Sequence, residues 1–131
     1  MVKKWIVILI ISIGLIAGCI AEYKFVNNAF DFIHDELVGY KAVLNSDQEN
    51  INKEENVLYV ETLHQKWAKK VKILKSLIWH TGIKDIEVGL ARIKIYTEQN
   101  DYKEALTELE GLIDYVKHYR EDFTLSLENL F

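Results

Sequence analysis

Hydrophobic positions in this chain follow two regimes. From Trp5 to Ala21 they form an uncharged run, whereas from Val26 onward they recur every three or four residues among polar neighbours. The second regime is the period of helices that bury one face. Val26, Phe30, Ile33, Leu37, Tyr40 and Leu44 lie on one stripe, which predicts a first helix over residues 22–45 that can continue directly from the apolar run. The polar cluster Asn45-Ser46-Asp47 ends it; Ser46 with Glu49 has capping-box spacing that would let the next helix begin at once, while the polar stretch to Asn56 leaves that start open.

A second helix, over about 52–79, carries Val60, Leu63, Trp67, Val71, Leu74 and Ile78 inward. Lys66, Lys69, Lys70, Lys72 and Lys75 cover the remainder as a solvated face. His80-Thr81-Gly82 reads as an interhelical turn, with Gly82 in the left-handed conformation that ends a helix. The third helix, about 83–98, presents Ile86, Leu90 and Ile93 to the core, with Val88, Ala91 and Ile95 widening that face. Asp101 and Glu104 form another capping-box pair and open a fourth helix, about 102–123, with Ala105, Leu109, Leu112, Val116, Tyr119 and Phe123 inward. The fold expected is all-α: an N-terminal signal or transmembrane helix over residues 1–21, then a small antiparallel helical bundle over 22–131. The first helix either completes that bundle or stands away from it as a stalk.

Two readings of the N-terminus compete, and each tethers the protein. Ile16-Ala17-Gly18-Cys19 resembles the lipobox of bacterial lipoproteins, which would place a lipid on Cys19 after cleavage. The apolar stretch before it has the length of a signal-peptide core, about 7–15 residues. Alternatively the segment is an uncleaved transmembrane helix, with Trp5 and Tyr23 at its two interfaces. The rise between them is about 27 Å, close to the ~30 Å hydrocarbon core of a bilayer. Lys3 and Lys4 set the same orientation in both cases: a cell-membrane location, the N-terminus cytoplasmic or cleaved, and the C-terminal domain extracytoplasmic.

Composition narrows the partners. With a single cysteine no intramolecular disulfide can form, so stability must come from burial. Setting Lys3 and Lys4 aside leaves 14 basic residues against 20 acidic ones, a balance of −6 for the remainder. Nucleic acid is therefore not an expected partner, because phosphate backbones are bound through lysine and arginine. Nor is a polybasic segment expected to hold the domain flat on anionic lipid.

The chemistry-bearing residues do not assemble a reaction. Asp31 with His34 and Glu61 with His64 have the carboxylate–histidine spacing of di-iron bundles, but the stripes turn both carboxylates away from the core. Asp85 and Glu87 favour the N-terminal end of the third helix through its dipole. No serine sits in a glycine-flanked elbow, and glycine-rich phosphate loops and calcium-loop spacing are missing. Neither an enzyme nor a resident cofactor or metal is expected.

The stretch from Trp67 to Phe131 carries a resemblance. Ile83-Lys84-Asp85-Ile86-Glu87-Val88-Gly89-Leu90-Ala91-Arg92-Ile93-Lys94, Glu104-Ala105-Leu106, Glu108-Leu109 and Leu125-Ser126-Leu127-Glu128-Asn129 look like the Gram-positive bacterial family known as domain of unknown function 4363. Its members are short proteins with an N-terminal apolar segment and a helical remainder. The resemblance implies an anchor and a helical fold, and no catalytic or binding residues.

The function expected is that of a membrane-tethered, extracytoplasmic helical interaction or accessory protein that docks a membrane or envelope partner. The docking residues expected are Leu125, Leu127, Leu130 and Phe131, a tail too apolar for a solvated end. A second copy of the chain is another open partner. The alternative is a small-ligand or cation-binding lipoprotein with a groove near Trp79, His80 and Glu87, Trp67 also being a candidate for its lining.

Overall fold

No proline interrupts the chain from Val2 to Ser46, and the whole stretch is a single helix, α1 (Val2–Ser46, 45 residues), about 67 Å long. The computed structural model describes the backbone of residues 1–77 and 80–130, and the side chains of residues 1–75 and 82–125. Three further helices follow: α2 (Glu54–Leu77), α3 (His80–Glu98) and α4 (Tyr102–Leu130).

The helices form a ring in which each packs on its two neighbours, α1 on α2 and α4, and α3 on α2 and α4. All neighbours run antiparallel. Phe30 meets Trp67 and Tyr59 reaches Glu36 between α1 and α2. Lys94 pairs with Glu61 between α2 and α3. Asp31 pairs with Arg120, and Lys41 with Glu110, between α1 and α4. The first helix therefore completes the bundle with its C-terminal half while its N-terminal half projects beyond.

Val26, Phe30, Ile33, Leu37, Tyr40 and Leu44 of α1 are all buried, as are Val60, Leu63, Trp67, Val71 and Leu74 of α2. From α3 and α4 the core takes Ile86, Leu90, Ile93, Ala105, Leu109, Leu112 and Val116, and adds Ala29, Ile51 and Ile83. Ile78 lies outside the described residues. Val88 and Ile95 do not widen the buried face of α3; they are exposed, because a helix packed on only two neighbours turns its far side to solvent.

Two predicted boundaries are corrected. Ser46 does not cap α2 but ends α1, its hydroxyl donating back to the Val43 carbonyl at 2.6 Å, and α2 begins only at Glu54. Gly82 is not a left-handed terminator, since no glycine has a positive φ and Gly82 lies inside α3. Its use is steric: a Cβ there would overlap the ring of Tyr119. Among the described residues the one that adopts the left-handed conformation is Asn100, with φ 56°. The Asp101 amide reaches the Tyr96 carbonyl at 2.9 Å and the Asn100 amide reaches that of Thr97 at 3.1 Å, the two bonds of a Schellman ending for α3. The Asp101 carboxylate then accepts the Glu104 amide at 3.1 Å and caps α4 as the spacing predicts.

Asn100 also ties the two loops at this end together. Its Oδ1 accepts the Ile51 amide and its Nδ2 donates to the Glu49 carbonyl, both at 2.9 Å. Ile51 is fully buried from the loop before α2, and Asn56 donates to its carbonyl at 3.1 Å. A second buried link crosses from α1 to α3: Tyr40 donates to Thr97 Oγ1 at 2.7 Å, and Thr97 donates to the Ile93 carbonyl at 2.8 Å. The end of the bundle remote from the apolar segment is thus closed by specific polar contacts.

Candidate functional site

Two surfaces stand out, and both depend on α1. The first is its N-terminal half. Trp5, Ile8, Ile11, Leu15, Ile16 and Ile20 are exposed to between 52% and 70%, though soluble surfaces do not present such a continuous apolar cylinder. The helix is long and apolar enough to cross a membrane, and none of its most apolar 18-residue window is buried; a signal sequence has the same properties. Cys19 is free and exposed on this segment, so its thiol is sterically accessible for modification.

The second surface is a groove of about 570 Å³ between α1 and α4, lined by His34, Val116, Lys117, Arg120, Thr124 and Leu125 among others. Its lining combines the apolar Val116 and Leu125 with the charged Lys117, Arg120 and Glu121. Arg120 is held in place by Asp31, which leaves Lys117 and Glu121 as the lining charges outside that pair. Leu125, one of the predicted docking residues, is 56% exposed at this groove rather than folded onto the core. The backbone of α4 continues as helix to Leu130, longer than the predicted 102–123. The side chains of Leu127 and Leu130, and all of Phe131, lie outside the described residues.

The alternative ligand groove is only partly described. Glu87 is half-buried on α3, whereas Trp79 and the His80 side chain lie outside the described residues. Trp67 is not a groove residue: it is fully buried against Phe30, with ring centroids 6.2 Å apart, and its Nε1 has no hydrogen-bond partner among the described residues. Among those residues no three or more histidine, cysteine, aspartate or glutamate side chains converge as metal ligands. The carboxylates of the di-iron-like spacings engage elsewhere, Asp31 with Arg120 and Glu61 with Lys94. His118 hydrogen-bonds the Asp114 carbonyl at 2.7 Å, not its carboxylate.

A tyrosine cluster near Gly82 escaped the sequence reading. Tyr115 donates to the Gly82 carbonyl at 3.2 Å and approaches Asp85 Oδ2 at 3.3 Å, and its ring stacks on Tyr119, which in turn packs on Phe30 at 5.4 Å. Burial, reinforced by the negative charge of Asp85, pushes the Tyr115 phenol up to about 12. A phenol so shifted stays protonated near neutral pH and acts as a hydrogen-bond donor, not as a base. The available signal was the four-residue spacing of Tyr115 and Tyr119, which places two rings on one edge of α4.

An antiparallel four-helix bundle whose first helix extends into an exposed apolar segment is the class of protein that these features define. The chain belongs to the family described as Domain of unknown function (DUF4363), whose profile matches residues 24–130, the bundle without the apolar segment. No curated protein and no solved structure matches it.

Proposed function

We propose that the protein is a membrane-tethered accessory protein, without catalytic activity, whose extracytoplasmic bundle docks a membrane or envelope protein. The observation that carries this reading is the continuity of α1: one helix is exposed and apolar over its first half and buried in the bundle core over its second. An apolar surface of that extent needs a non-aqueous environment, and a bilayer supplies one. Cleavage at Cys19 gives nearly the same placement, because only seven residues, about 10 Å of helix, separate it from Val26, the first buried residue.

The α1–α4 groove and the adjoining α4 terminus are the docking surface in this reading. A lining that sets Val116 and Leu125 beside Lys117 and Glu121 suits an amphipathic helix laid into the groove. Confinement to the membrane raises the effective concentration of a neighbouring partner, so a modest interface suffices. Deleting residues 125–131 is expected to abolish co-purification with that partner from detergent extracts while the helical circular dichroism persists. A complex unchanged by the deletion refutes the docking assignment. Intact mass of the extracted protein tests the tether: loss of residues 1–18 with lipid on Cys19 identifies a lipoprotein, and an unprocessed chain a signal anchor. Native protein recovered free of membranes refutes both.

A further inference from the structure

Between Thr62 and Lys84 the chain contains no acidic residue and five lysines, Lys66, Lys69, Lys70, Lys72 and Lys75, within a protein of net charge −4. In sequence these stand far from the apolar segment, and a lysine-rich helix face is ordinarily only a solvated one. The fold changes their setting. Phe30 and Trp67 pack directly, so α2 descends antiparallel to α1 towards the end of the bundle from which the apolar helix emerges. Carried along this register, Lys75 comes level with Glu22, one residue beyond the apolar run. Lys72 and Lys69 follow at about 6 and 10 Å from its end, and Lys66 at about 15 Å.

Lys66, Lys69, Lys72 and Lys75 are exposed, and none of the five lysines forms an ion pair among the described residues. Lys70 instead lies over the Phe32 ring, 4.8 Å from its centroid. Other exposed cations do find carboxylates: Lys41 pairs with Glu110 and Lys53 with Asp47. Acidic residues occur at the same end on the neighbouring helices, Glu22 on α1, Asp85 and Glu87 on α3, and Glu121 and Asp122 on α4, but the exposed side of α2 carries lysines and no carboxylate there, with Ile73 half-exposed among them.

We infer that this lysine face of α2 binds the anionic phospholipid headgroups of the bilayer that α1 enters. The inference rests on the membrane-tethered reading and adds the lipid chemistry and the orientation. The headgroup layer is about 6 Å deep on each side, and lysine attraction to anionic lipid fades within about 8 Å at physiological salt. Lys75, Lys72 and Lys69 fall within that range once the reach of their side chains is included; Lys66 sits at its edge. Engaging only one face tilts the bundle, bringing α2 down to the lipid and leaving the α1–α4 groove directed away from it.

The test is amine-reactive footprinting of the full-length protein in nanodiscs of phosphatidylcholine alone or mixed with phosphatidylglycerol, read lysine by lysine by mass spectrometry. In the mixed discs Lys69, Lys72 and Lys75 are expected to label roughly threefold to fivefold more slowly, the effect of about 1 kcal/mol per lysine near an anionic surface. High salt should abolish the difference, and Lys53 and Lys103 at the opposite end should label alike in both discs. Equal labelling of the three lysines in the two lipids overturns the inference and leaves the tether standing. Equal protection by inorganic phosphate added to phosphatidylcholine discs also overturns it, by making the ligand a free anion. A protein that enters neither disc overturns the tether and the inference together. With Lys69→Gln, Lys72→Gln and Lys75→Gln combined, phosphatidylglycerol enrichment among co-extracted lipids should fall several-fold; unchanged enrichment counts against the assignment.

Discussion

Replacing Asn100 by alanine separates two contributions that meet at one residue. The first is backbone: φ is 56°, a conformation that costs an alanine about 1–2 kcal/mol and that asparagine and glycine adopt more readily. The second is the side-chain bridge to the loop before α2, two hydrogen bonds at 2.9 Å. One serves the amide of Ile51, whose side chain is fully buried, and leaving such a donor without its partner costs about 1–3 kcal/mol. Asn100→Ala is therefore expected to destabilise the bundle by about 2–5 kcal/mol, and Asn100→Gly, which removes the bridge but not the backbone freedom, by about 1–3 kcal/mol. Urea unfolding of the detergent-solubilised full-length protein, followed by far-ultraviolet circular dichroism, measures both. With a slope of about 1–3 kcal/mol per molar urea, the alanine midpoint should fall by about 1–2 M with little change in slope. An alanine variant within about 0.5 kcal/mol of the parent refutes the reasoning, because that is the range of an unremarkable surface change. A glycine variant as unstable as the alanine one removes the backbone share.

Glycines provide a paired test: Gly82→Ala puts a Cβ into the Tyr119 ring, which Phe30 and Tyr115 hold in place, whereas Gly111→Ala meets nothing within 4 Å. The first should lower stability by about 1–2 kcal/mol and the second raise it by about 0.5–1 kcal/mol, so thermal melts moving in the same direction would contradict the packing. Alkaline titration probes Tyr40, whose phenol burial pushes up to about 12 from an ordinary 10.0. The fold thus favours the protonated phenol: its stabilisation is complete below pH 10 and is lost as pH rises towards 12. Phenolate absorbance should show Tyr40 ionising together with helix loss, identified by comparison with Tyr40→Phe; ionisation near pH 10 in a folded bundle would count against its burial. Asp31→Asn should cost under about 1 kcal/mol in the same melts, since its pair with Arg120 is half-exposed, and a larger loss would give that contact a structural weight that its solvation argues against.

Local periodicity accounts for most of what could be read in advance. The stripes of α1, of α2 as far as Leu74 and of α4 as far as Val116 emerged residue by residue, with Tyr119 and Phe123 half-buried at the core's edge, because i, i+3 and i+4 spacing records which side of a helix is dry. The Asp101 cap and the end of α3 near Asn100 were legible for a similar reason, as short-range hydrogen bonding leaves short-range signatures. Gly82 misled because a glycine beside a polar pair reads as a terminator, while its actual reason for being small, the Tyr119 ring, lies 37 residues away. Val88 and Ile95 misled because apolar identity does not say how many neighbours a helix has.

What the amino-acid order determined alone was therefore the all-helical class, the inward faces and the long apolar start, each a property of nearest neighbours along the chain. Tertiary structure decided that α1 joins the ring, that Asn100 links two loops 49 residues apart, and that the C-terminal end of α2, with Lys75, comes level with the end of the apolar run. Those facts depend on helix direction and register, which are set when separate faces pack and exclude water together, and no single segment contains that information.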